Sequence, residues 1–303
     1  MAGLVSGLTR SVGDALASFG RRSVVGLSIE GNDLRLICVS GREMVRLVSR
    51  PLGSDVIPGG VVVDAGAFAV AVRTILNDYD IPRSTIVAGF PDLDARSRLL
   101  TLPKDASTKL ADVVKREARH DEVIGKGDYR IYHQVVSEGQ TQIQVFVLAV
   151  KQAALTQYLE GLRQAGVIPQ MVEMRPLAMI RAINQPHTII AHIERTALDV
   201  IIVANNLPVI MRSVPLSEAG IVEVVVQELG RTIDAYNSDH PLPLSARLPV
   251  ALTGELADTP DLQQAVQDRL GHPIATLTCP FAAPAGFAVP TFIVNIGLVL
   301  KAR

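Results

Sequence analysis

An internal repeat constrains this chain more than any other feature of its sequence. Residues 24–52 read VVGLSIEGNDLRLICVSGREMVRLVSRPL, and residues 188–216 read TIIAHIERTALDVIIVANNLPVIMRSVPL. An offset of 164 aligns the two without a gap. It sets Glu30 on Glu194, Leu34 on Leu198, and Ser49-x-Pro51-Leu52 on Ser213-x-Pro215-Leu216. Each copy reads as strand, polar turn, strand, turn, strand. The first turns are GND and ERTA; the second are SGRE and NNLP, where Gly and Asn accept a positive φ. Helical patterns follow each copy, so the chain is expected to build two related α/β lobes.

Apolar periodicity places helices at 65–78, 106–119, 151–164, 217–237 and 261–270. Strands are expected at 85–90, 129–137, 142–150, 169–173, 249–253 and 292–300. This order puts a strand–helix–strand–strand insert at about 85–150, inside the first lobe. Pro169, Pro176 and Pro186 keep any helix between the lobes short. The expected domains are therefore an N-terminal segment (1–23), a first lobe (24–187) and a second lobe (188–303).

Composition narrows the function. With 48% hydrophobic and 19% charged residues among 303, the chain can bury a large core. A net charge of −1 and the absence of Trp leave neither a whole-protein grip on nucleic acid nor good base-stacking platforms. Cys38 and Cys279 are far apart, with no disulfide framework or zinc spacing. No secretory signal and no apolar run of 18 residues is evident, so the body is expected in the cytoplasm. In the N-terminal segment, Leu4, Leu8, Val12, Leu16 and Phe19 share one helical face beside Arg10, Arg21 and Arg22. That face over residues 4–19 offers a peripheral membrane or partner contact; a tail, or a helix docked on the body, is the alternative.

Two lobes that each open with a β-hairpin resemble the actin-like (ribonuclease H-like) fold. With its insert, an SHS2-type arrangement, the chain looks like a divergent, shortened member of the PilM family of type IV pilus assembly proteins, relatives of FtsA. The resemblance rests on VGLSIEGNDLRLICV, AGFPDLDARSRLLTLPK, VFVLAVKQAALTQYLEGLRQAGVIPQMVEMRPLAMIRA, LPVIMRSVPL, LTGELADTPDLQQAVQDRLGHPI and NIGLVLKAR, which together span about 24–303. It implies a scaffold on the cytoplasmic face of the inner membrane. Such a scaffold docks the cytoplasmic tail of a bitopic PilN-like protein near the junction of first lobe and insert. Self-association as a homo-oligomer is a further expectation. The family also binds ATP between its lobes.

The nucleotide positions implied by the resemblance are altered here. Ser28 and His192 stand where acidic residues handle Mg²⁺, Glu30 and Glu194 where glycines face phosphate, Arg35 where a lysine sits, and Leu198 where a hydroxyl is expected. Two carboxylates at phosphate positions repel a nucleotide unless a cation lies between them. The plainer reading makes both turns ordinary solvated hairpins. Only one glycine, Gly254, remains in the adenosine region, and the segment from the 217–237 helix to the strand near Val250 leaves no room for a full second-lobe subdomain. The leading expectation is a scaffold with lost or weakened ATP binding, a pseudo-ATPase. The alternative is an active Mg-ATP switch or ATPase with its site rebuilt around Gly31, Asn32, Arg35 and Gly254.

Other groupings are weaker. The six histidines make no compact ligand pattern, and no catalytic residue or metal set is assigned. Asp92 and Asp94 read as a turn, and His120-Asp121-Glu122 as a solvated corner. Glu173 and Arg175 either rim the cleft between the lobes or pair across a surface. Arg46, Arg50 and Arg212 either face a partner or keep strand edges soluble.

Overall fold

The first repeat unit forms β1 (Ser23–Glu30), β2 (Asp33–Ser40) and β3 (Glu43–Pro51) in the computed structural model. The second forms β9 (His187–Ile193), β10 (Ala197–Ala204) and β11 (Leu207–Pro215), each starting 164 residues after its counterpart. Described are residues 23–53, 56–58, 61–83, 85–91, 95–217, 220–239 and 243–303. The helix expected over residues 4–19, Asp92, Asp94 and His240 lie outside them. Gly31 (φ 56°), Asn205 (φ 52°) and Asn206 (φ 61°) take the left-handed conformation in the turns, as their residue types allow. Even the bulges correspond: the register shifts between Cys38 and Val39 in one unit, and between Ile202 and Val203 in the other.

The repeat runs further than the hairpins. β4 (Ile86–Phe90) lies parallel to β1 with Val25 opposite Ile86. β12 (Val250–Thr253) lies parallel to β9 with Ile189 opposite Val250, again 164 residues on. A short strand, β8 (Met171–Met174), completes the first sheet, whose order is β3-β2-β1-β4-β8. The second sheet is β11-β10-β9-β12.

Strand alternation then sorts side chains to two faces. Val25, Leu27 and Ile29 of β1 pack under α1 (Ala65–Asp78) and α3 (Gln152–Gln164). Ile189, Ala191 and Ile193 of β9 pack under α5 (Ile221–Asp239) and α6 (Leu262–Leu270). The opposite faces meet in a shared core. Val24, Ile37 and Val87 from the first lobe and Ile190, Ile201 and Ala251 from the second enclose α4 (Arg175–Ile183) and α7 (Ile293–Lys301). Both sheets are thus covered on both faces, which explains their near-continuous apolar runs.

Two sequence expectations change. The segment at 292–300, expected as a strand, is α7. An apolar run of that length has no period that separates a strand from a helix buried on all sides. Here it is buried from Ile293 to Val299. Gly297 makes the crossing possible, because a Cβ there would lie 1.9 Å from the Ala178 carbonyl oxygen on α4. The strand at 85–90, counted with the insert, is β4 of the main sheet. The insert itself starts later: β5 (Arg96–Pro103), a 3-10 turn (Lys104–Lys109), α2 (Leu110–His120), β6 (Tyr129–Glu138) and β7 (Gln142–Lys151). Its sheet order is β5-β7-β6, closed by Val114 and Ala118 of α2 against Ile143, Val145 and Val147. The strand–helix–strand–strand pattern therefore holds, with a different first strand. In the second lobe, β12 follows α5 after a connection of ten residues, 240–249, matching the expected compact form.

Candidate functional site

The same alternation that fills the cores aims a set of polar residues into the cleft between the lobes. Odd positions of β1 face α1, so Ser28 and Glu30 face the cleft. By the same parity Arg35 of β2, His192 of β9 and Asp199 of β10 face it too. Glu30 and Arg35 are each 1% exposed, and Arg175, His192, Glu194 and Asp199 are buried with them. The carboxylates are not the side chains of solvated turns, the plainer of the two sequence readings.

Each carboxylate has a guanidinium. Arg35 holds Glu194 through both terminal nitrogens, Nη1 to Oε1 at 2.7 Å and Nη2 to Oε2 at 2.8 Å. Arg175, at the start of α4, donates from Nη1 to Glu30 Oε2 at 3.0 Å and from Nη2 to Asp199 Oδ2 at 2.9 Å. Ser213 Oγ donates to the other oxygen of Asp199 at 2.6 Å. His192 joins the two sets, with Nε2 3.0 Å from Glu30 Oε2 and Nδ1 3.0 Å from Thr253 Oγ1. Arg35–Glu194, Glu30–His192 and Arg175–Asp199 all run between the first-lobe side and the second lobe. Asn295 of α7 adds a further tie, donating from Nδ2 to the Gly26 and Arg35 carbonyls and to Ser28 Oγ at 2.9–3.1 Å.

Electrostatics follow the geometry. Burial pushes the Glu30 carboxyl up, but the Arg175 charge and the His192 hydrogen bond outweigh it and hold Glu30 at about 2. Burial works against the charge of Arg35 and Arg175 as well, and the carboxylates around them raise both. Charged groups this deep are retained only when paired, and removing one partner leaves the other stranded.

The sequence-derived nucleotide positions sort differently from expectation. Gly31 lies against Glu194: a Cβ there would sit 3.4 Å from Glu194 Oε2. Arg35 is engaged by Glu194. Asn32 offers its carbonyl to Leu52 N–H at 2.9 Å. Gly254 (φ 92°) is required by its own lobe, since a Cβ would fall 2.4 Å from the Ile193 carbonyl oxygen, and its N–H donates to Pro290 O. Leu198 does not reach the cleft; it packs under α5 with Val225 and Leu229. Its cleft-facing neighbour Asp199 is the repeat counterpart of Arg35. Of the pair that the sequence leaves between cleft and surface, Arg175 lies in the cleft, while Glu173 pairs with Arg181 and Lys301.

These residues do not fit Mg-ATP as arranged. Arg35, where the resemblance expects a lysine, has its fork filled by Glu194, and Glu30 sits beside it. Glu30, His192 and Glu194 do place one metal-ligating atom each within 4.8 Å of one another. Two guanidiniums already hold the two carboxylates of this trio.

A second feature lies where the insert meets the first lobe. A groove of about 430 Å³ has Phe90, Leu148, Leu155, Met171, Val172 and Leu177 among its apolar walls. Arg130, Glu173 and Lys301 supply its charges. Glu173 is itself held by Arg181 and by Lys301, the latter at 3.3 Å. β8 borders the groove and is the edge strand of its sheet. Gln170 N–H donates to Ile86 O, so Gln170 and Val172 bond inward to β4, and the backbone of Met171 and Glu173 turns to the open edge. Tyr132 (43% exposed) and Val172 (37% exposed) present apolar surface there. The family resemblance implies a site at this junction but not its residues, because the walls come from seven separate elements. Elsewhere the lone arginines are local: Arg50 Nε donates to Tyr79 Oη at 2.6 Å, and Arg212 pairs with Glu228 at 2.8 Å.

Two lobes built on one hairpin unit, two helices crossing between them and an insert in the first lobe define an actin-like fold, and solved structures agree. No family model matches the sequence, and no curated protein does. Among solved structures, the chain is similar to one described as a PilM-PilN type IV pilus biogenesis complex. The TM-score is 0.74 at 22% identity, covering 93% of this chain and 99% of that one. The ethanolamine utilization protein EutJ of Carboxydothermus hydrogenoformans aligns with a TM-score of 0.54 at 11% identity, covering 93% and 91%. The cytoplasmic domain of EpsL, an inner membrane component of the type II secretion system of Vibrio cholerae, gives 0.52 at 14%, covering 93% and 96%. Among the described residues, no helix is long and apolar enough to cross a membrane.

Proposed function

We propose that the chain is a PilM-like docking scaffold, which binds the cytoplasmic tail of a bitopic, PilN-like membrane protein in the groove between insert and first lobe. The observation that carries this is the groove itself: apolar walls, a charged rim and an open strand edge. An extended peptide satisfies its own backbone by pairing with Met171 and Glu173, while its side chains enter the apolar walls. The likeness to the PilM-PilN complex and to the cytoplasmic domain of EpsL supports the same reading. The first belongs to a pilus biogenesis complex and the second to an inner membrane component of a secretion system, which supports a position for this scaffold at the cytoplasmic face. The ion-paired cleft supports a scaffold whose nucleotide binding is lost or weakened.

A labelled peptide copying the cytoplasmic tail of a bitopic PilN-like protein tests the reading by fluorescence anisotropy. Val172→Asp places a charge in the apolar wall and is expected to weaken binding by about tenfold or more, with melting unchanged. Equal affinity for both proteins would place the tail elsewhere.

A further inference from the structure

The donors around Glu194 are arranged as a receptor for a small oxyanion. Arg35 presents its planar fork at 2.7 and 2.8 Å, the geometry that matches a carboxylate. The backbone N–H of Glu255, next to Gly254, donates to Glu194 Oε1 at 3.2 Å. His192 Nε2 stands 3.5 Å from the same oxygen. Gly31 has no side chain to crowd the other oxygen. The donors come from different parts of the chain: Arg35 from the first lobe and Glu255 from the second, with the His192 ring beside them. Their convergence is more than one ion pair needs.

We infer that Glu194 is a built-in ligand, a carboxylate that fills an oxyanion receptor spanning the two lobes and holds the cleft closed without a bound molecule. The receptor itself is complete apart from that side chain, and the class of ligand it takes is a small planar carboxylate. While Glu194 occupies it, a free anion competes with a tethered one at high effective concentration and is excluded. This holds whether or not the groove docks a tail.

Truncation exposes the receptor. In Glu194→Ala, Arg35 keeps the Thr291 carbonyl at 3.2 Å and, of carboxylates, the more exposed Glu255 at 3.6 Å and Asp33 at 4.0 Å. Sodium formate supplies the missing carboxylate. Melting is measured in formate and in sodium chloride at matched ionic strength, for the wild type, Glu194→Ala, and Glu194→Ala combined with Arg35→Met. The expected result is a saturable rise of about 3–5 °C in formate over chloride for Glu194→Ala alone. Should Glu194→Ala need formate to fold at all, refolding yield replaces melting as the readout, with yield higher in formate than in chloride. An equal response in the wild type, a response that survives Arg35→Met, or no gain in melting or yield for Glu194→Ala would overturn the inference.

Discussion

Glu30→Gln isolates the charge at the centre of the cleft while keeping the side chain's size. The carboxyl lies at about 2 against a usual 4.5, held there by Arg175 and His192 at 3.0 Å each. That displacement stabilises the fold by about 3 kcal/mol at neutral pH. Because the folded value is the lower one, the contribution is present above 4.5 and is lost as pH falls through about 2. At about pH 3 the unfolded carboxyl is already protonated and the folded one is not, so roughly 1 kcal/mol survives. Urea denaturation of both proteins at about pH 7 and pH 3 measures the gap directly. It should shrink from about 3 to about 1 kcal/mol as pH falls. A gap below about 1 kcal/mol at pH 7, or one that does not change with pH, would refute the reasoning.

Other outcomes follow from packing and capping. Gly297→Ala drives a methyl into the Ala178 carbonyl at the crossing of α4 and α7; the expected loss is about 3 kcal/mol or more, read as reduced melting temperature or insoluble protein. Asp64→Ala removes the side chain that accepts from Gly66 N–H at 2.8 Å and Ala67 N–H at 3.0 Å at the start of α1. About 1 kcal/mol should be lost in urea denaturation, without effect on the groove or the cleft.

The hairpin units were legible because two local signals coincide in them: alternation along each strand, and Gly or Asn at turns that need a positive φ. Helices with a one-sided stripe, such as Ala65–Asp78 and Gln152–Gln164, were legible for a similar reason. The last helix was not, because burial on all sides erases its period. The repeat continued unnoticed into Ile86–Phe90 and Val250–Thr253, whose few apolar residues carry no distinguishing chemistry. The family resemblance marks Glu30, Arg35, His192 and Glu194 as altered, but not how they are neutralised. Their partners lie 145 to 162 positions away along the chain, and only the meeting of the lobes reveals them. Arg175 shows the limit most plainly: one residue after Met174, which lines the groove, it turns into the cleft.

The chain's own ion pairs occupy the cleft, and the groove is the working surface. Calorimetric titration of the intact protein with ATP, with and without Mg²⁺, tests this most directly. No binding heat and no thermal stabilisation are expected up to about millimolar nucleotide in either condition. Magnesium-dependent binding at about micromolar strength would contradict this, because Arg35 would then have to release Glu194 and the lobes would have to open.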